Sequence, residues 1–133
     1  MESSALVAAL LEHDTTVMGA LPRGMRHVTS ALTFAETARA IVRARVAGRL
    51  TPEQEQAAFG GLRTFRRRCF VLDIEGTVLG RVGRPFPVEP IRTLDAVHLA
   101  TAELLEEPPQ LVTIVTRDAR VRESAKALGY AVA

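Results

Sequence analysis

The sequence contains a single cysteine, a single lysine and no apolar run of membrane-spanning length. One thiol cannot close a disulfide within the chain, and it suits a reducing cytoplasm. Cys69 stands beside Phe70 and Val71, where a small buried hydrophobe is expected rather than a reactive thiol. Runs such as Leu111-Val112-Thr113-Ile114-Val115 are strand-sized, far short of the roughly 20 residues that cross a bilayer. No basic segment followed by an apolar stretch opens the chain, so export and membrane attachment are not expected, and the expected localisation is cytoplasmic. No internal repeat, low-complexity segment or second domain is evident, and residues 1–133 read as one domain. The excess of charge is also small, +2, but it conceals seventeen basic residues, all but Lys126 being arginine. Arginine grips phosphate and carboxylate with two parallel hydrogen bonds, which permits nucleic acid or an acidic protein as partner and proves neither.

What is present is a chain of short apolar strands alternating with amphipathic helices. A short helix follows Glu2-Ser3-Ser4, and a loop around Pro22 and Gly24 leads to a strand at His27-Val28-Thr29. A helix is expected from about Leu32 to Ala47, with Gly48 as stop, and another after the Thr51-Pro52-Glu53-Gln54 start, carrying Phe59, Leu62 and Phe65 inward. Phe70-Val71-Leu72 reads as a strand, Glu75 to Arg84 as a short helix, and Pro85, Pro87 and Pro90 as a stiff loop. The helix holding Asp95 is expected to stop at Pro108-Pro109, and then come a strand at Leu111–Val115, a helix at Arg120–Leu128 and a strand at Tyr130–Val132. That alternation implies an α/β domain, a mainly parallel sheet flanked by helices, with chemistry at the carboxyl ends of the strands.

Four acids stand at or near such junctions: Glu2, Glu36, Asp95 and Asp118. Asp95 enters an otherwise apolar helix, Thr93-Leu94-Asp95-Ala96-Val97-His98-Leu99-Ala100-Thr101-Ala102, where a carboxylate needs a partner, a proton or a metal. Each has a plain structural alternative. Asp118 could cap a helix, and Asp95 could serve a helix dipole. Thr33-x-x-Glu36 matches a capping box unless the helix starts earlier, at Ser30; Glu2 could be a loose terminal residue. His98 is expected in the core or behind the acids rather than as a ligand, because the other candidate ligands are hard oxygens. Arg39, Arg43, Arg63, Arg66, Arg67 and Arg68 read as solvated helix faces, some of them able to grip phosphate.

Taken together and in order, Glu2-Ser3-Ser4-Ala5-Leu6-Val7, Ser30-Ala31-Leu32-Thr33-Phe34-Ala35-Glu36, the Asp95 helix and Val115-Thr116-Arg117-Asp118 resemble the PIN-domain ribonucleases, and within them most closely the VapC toxins of bacterial toxin–antitoxin pairs. The resemblance implies a PIN-like three-layer α/β fold and an endoribonuclease dependent on Mg²⁺ or Mn²⁺, with RNA as substrate. It also implies a homodimer held inactive by a cognate VapB-like antitoxin. It places the catalytic, metal-binding acids on Glu2, Glu36, Asp95 and Asp118, with the hydroxyls of Ser4 and Thr116 behind them. Asp95, Glu2 and Asp118 are assigned chiefly to metal binding. Glu36 is assigned to direct or water-mediated ligation or to deprotonating the attacking water, and one or two ions remain equally open.

Two departures from the family accompany the resemblance: Glu2 replaces the usual Asp, and only Met1 stands where an apolar first strand normally precedes that acid. The expectation drawn from the second is a missing or truncated first strand, from a gene start set too late. Two rivals are carried along. One is a catalytically impaired PIN-like module that binds antitoxin or RNA. The other is a phosphatase of the haloacid-dehalogenase type, from Val71-Leu72-Asp73-Ile74-Glu75-Gly76-Thr77-Val78, disfavoured because that motif falls past mid-chain without its downstream partners.

Overall fold

The computed structural model describes residues 1–21 and 24–133, so the expected turn at Pro22 lies outside the described residues. The elements run α1 (Ser3–Leu11), α2 (Thr15–Gly19), β1 (Val28–Ser30), α3 (Ala31–Val46), α4 (Pro52–Arg66), β2 (Phe70–Leu72), α5 (Gly76–Val82), α6 (Thr93–Glu103), a 3₁₀ turn (Pro109–Leu111), β3 (Thr113–Ile114), α7 (Ala119–Ala127) and β4 (Ala131–Val132). Among the described residues all strand pairing is parallel. β1 pairs with β2, Val28 opposite Phe70, and β3 pairs with β4, Thr113 opposite Ala131. Among the described residues the strands therefore form two parallel pairs rather than one continuous sheet.

Backbone parity shows how the pairs face each other. In a parallel strand, alternate residues direct both backbone groups to the same side. The His27 carbonyl accepts from Phe70 of β2, so Val28 faces away from β2; the Ile114 carbonyl accepts from Ala133 beyond β4, so Val115 faces away from β4. Met1 and Glu2 fill this gap: the Met1 amine donates to the Val28 carbonyl and the Glu2 amide to the Val115 carbonyl, both at 2.9 Å. The Thr29 hydroxyl adds a bond to the Met1 carbonyl at 2.6 Å. Glu2 is thus fixed between the carboxyl ends of β1 and β3.

The helices form where their caps dictate. β1 runs directly into α3 because Ser30 turns its hydroxyl onto the Leu32 amide, an N-cap that leaves Glu36 inside the helix. Thr51 and Gln54 close a reciprocal capping box on α4, with Pro52 at its first position. Leu6 of α1, Phe34 and Ile41 of α3, and Leu62 and Phe65 of α4 make one core. Val78 of α5, Val97 and Leu99 of α6, and Val121 of α7 make a second. The Asp95 helix ends at Glu103, well before Pro108, and the expected strand at Leu111–Val115 begins with the 3₁₀ turn instead. Among the described residues, no helix is long and apolar enough to cross a membrane.

Candidate metal centre

Glu2 caps α1 and is 5% exposed. Its Oε1 accepts from the Ser3 hydroxyl at 2.7 Å and the Ser4 amide at 2.9 Å; its Oε2 accepts from the hydroxyls of Ser4 and, at 2.8 Å, Thr116. Burial pushes this carboxyl's pKa upward, but the bonds from Ser4, Ser3 and Thr116 outweigh it, and the net shift is downward. A carboxylate has about four acceptor positions, and four donors already point at this one. Direct ligation by Glu2 therefore requires a hydroxyl to turn away.

Ser4 ties α1 to the turn between β3 and α7. While donating to Glu2, its oxygen accepts from the Arg117 amide at 2.8 Å and the Asp118 amide at 3.0 Å. Asp118 is an N-cap, as its plain alternative foresaw: Oδ1 accepts from the amides of Arg120 and Val121. The cap and a site role are compatible, because the cap engages only Oδ1.

Asp95 occupies the first turn of α6. Its pKa is raised, first by burial and then by the negative charges of Asp118 and Glu2, with Arg92 and His98 opposing. Its Oδ2 is buried without a hydrogen-bond partner among the described residues. A buried carboxylate oxygen left bare beside two further acids fits a cation in chemistry and in charge. One turn further along α6, His98 Nε2 lies 2.6 Å from Glu36 Oε2 and 3.9 Å from Glu2 Oε1. Ligand-capable atoms of Glu2, Glu36 and His98 all lie within 4.8 Å of one another. The structure thus gathers Glu2, Glu36 and His98 into one group, while Asp95 and Asp118 stand outside it, Asp95 being near enough to both Asp118 and Glu2 to feel their charges.

A cleft of about 460 Å³ opens beside the cluster, lined by Ser4, Glu36, Arg43 and Arg117 among others. Arg117 is anchored there by Asp14 at 2.8 Å and by Thr16 at 2.6 Å. Ser3, Arg117 and the Asp14 anchor were not singled out from sequence. A serine just inside a helix cap resembles any other, whereas Asp14-Thr15-Thr16 did carry the cap signature of α2. The rival phosphatase motif is placed otherwise: Asp73 and Glu75 are exposed, and α5 simply begins after Glu75.

The profile of the PIN domain family matches residues 1–127. Ribonuclease VapC46 of Mycobacterium tuberculosis (strain ATCC 25618 / H37Rv) is 37% identical over 136 residues, covering 99% of this chain and 93% of the relative. Ribonuclease VapC35 of M. tuberculosis (strain CDC 1551 / Oshkosh) is 38% identical over 108 residues, 81% of this chain and 72% of the relative.

Proposed function

Because the chain belongs to the PIN-domain family, we propose that it is a divalent-ion-dependent endoribonuclease, the toxin of a toxin–antitoxin pair. The observation that carries the metal dependence is the bare, buried Oδ2 of Asp95, set within the fields of Asp118 and Glu2. Asp95, Asp118 and Glu36 would hold Mg²⁺ or Mn²⁺, with Glu2 joining once a hydroxyl donor turns aside. The ion would supply an activated water and charge neutralisation at the scissile phosphate.

The chain's own residues do the rest. Ser4 and Thr116 hold Glu2 and the Asp118 backbone in register, so that the acids capping α1 and α7 are set in place beforehand. Glu36 stands at the edge of the cleft, where it can accept a proton from an attacking water. Arg43 and Arg117 line the same cleft and suit the phosphates of an RNA strand. Half-exposed Leu79 of α5 and Leu94 of α6 are side chains of the kind that a second copy in a homodimer, or a VapB-like antitoxin, would cover.

The test is cleavage of RNA by the purified chain. Activity should require Mg²⁺ or Mn²⁺, stop with EDTA, and vanish in Asp95→Asn while that variant still binds antitoxin. RNA cleavage undiminished by EDTA, or by Asp95→Asn, would overturn the proposal.

A further inference from the structure

His98 joins α6 to α3 at the centre of the site. Its ring is 6% exposed and enters one turn beyond Asp95. Nε2 lies 2.6 Å from Glu36 Oε2, a distance at which a ring hydrogen on Nε2 is donated to the carboxylate. Among the described residues this is the one hydrogen bond made to the Glu36 carboxylate. Glu36 needs such a hold. It projects from the second turn of α3, its side chain is 24% exposed, and the cleft beside it gives a flexible side chain room to swing away from Glu2.

Resting on the divalent-ion reading above, we propose that His98 is a positioning residue, which fixes the Glu36 carboxylate beside Glu2 so that an ion meets that acid already in place. The bond does its work as a donated hydrogen bond of fixed direction. A side chain that filled the same space without donating would leave α6 packed but Glu36 loose. Outer-sphere partners of this kind typically contribute about 10- to 100-fold in metal affinity.

The experiment measures Mn²⁺ binding to the full chain by calorimetry, with melting curves on the same samples. His98→Leu keeps the bulk and loses the donor; His98→Gln keeps an N–H donor. His98→Leu should weaken Mn²⁺ binding about 10-fold or more, and His98→Gln should recover most of it. In a Glu36→Ala background, His98→Leu should change affinity less than about 2-fold, because the group it positions is gone. Wild-type affinity in His98→Leu, equal loss in the Leu and Gln variants, or the same loss with and without Glu36 would overturn the proposal while leaving the divalent-ion reading standing. A wild-type chain that takes up no Mn²⁺ would sink both. If His98→Leu fails to melt cooperatively, His98→Gln decides against Glu36→Ala: affinity near wild type supports the proposal, and affinity as low as Glu36→Ala overturns it.

Discussion

Asp95 feels the charge of Glu2, yet their surroundings drive the two carboxylates in opposite directions. Asp95 is raised by burial and by the charges of Asp118 and Glu2, so its folded form takes up a proton more readily than its unfolded form. Above that raised value both states are ionised and the metal-free fold carries the full penalty. As pH falls through it the penalty fades, and it is gone below the ordinary value of 3.8. Metal-free Asp95→Asn should therefore be more stable than wild type at neutral pH, with the gap closing on acidification. Chemical denaturation in EDTA across that range measures this. RNA cleavage by the same variant should fall by more than about 100-fold, beyond the loss typical of an outer-sphere partner. Glu2 has the opposite sign: its lowered pKa gives stability that is present above 4.5 and lost as pH falls through the folded value. Glu2→Gln should cost stability at neutral pH. At this scale Asp95 stood out because a charge entering a helix of Ala, Leu and Val needs a counterpart, whereas Glu2, Glu36 and Asp118 drew notice only together and in order. Ser3 was not, because nothing distinguishes a serine that bonds a carboxylate from one that merely opens a helix.

At the scale of elements, the site depends on how α1 meets the turn before α7. Ser4 is the hinge pin, accepting two amides from that turn while donating to Glu2. Ser4→Ala leaves the Arg117 amide without this acceptor and should cost about 1–3 kcal/mol, read from urea midpoints. Cleavage should fall with it, since Asp118 loses part of its register. The capping box of α4 offers the contrast. Thr51→Ala should cost about 1 kcal/mol in the same measurement and leave RNA cleavage and Mn²⁺ affinity unchanged, because α4 contributes none of the four acids. That helix was legible to its first residue, since Thr51, Pro52 and Gln54 are chemically committed to one geometry. α2 was not expected: five residues are too few for a periodicity to show, though Asp14 caps it. β3 and β4 shrink to two residues each, and the expected Leu111 start gave way to a 3₁₀ turn after Pro108-Pro109. Apolar content alone cannot say where pairing begins, because pairing depends on which neighbour lies opposite.

For the molecule as a whole, the proposed metal centre would couple folding to an ion. Glu2 and Glu36, at the start of α1 and within α3, meet only in the folded state, and Asp95 of α6 comes within reach of the charges of Glu2 and of Asp118, the cap of α7. Parallel strand pairs set helix starts along one edge, which is why acids at such starts were expected to lie near one another. The division into two pairs accords with the expected truncation of the first strand, since the bonds to Val28 of β1 and to Val115 after β3 come from Met1 and Glu2. An ion bound by the native state alone stabilises it by mass action, about 2.7 kcal/mol at 100 times its dissociation constant. For a domain of this size that corresponds to a rise of roughly 10 °C in melting temperature. Saturating Mn²⁺ should therefore raise the melting point of the wild-type chain and EDTA should reverse the rise. Asp95→Asn should lose nearly all of the increment despite its higher metal-free stability. Thr51→Ala should start lower and gain as much as wild type. A rise of equal size in Asp95→Asn would place the ion elsewhere on the surface, and the convergent acids would then need another explanation.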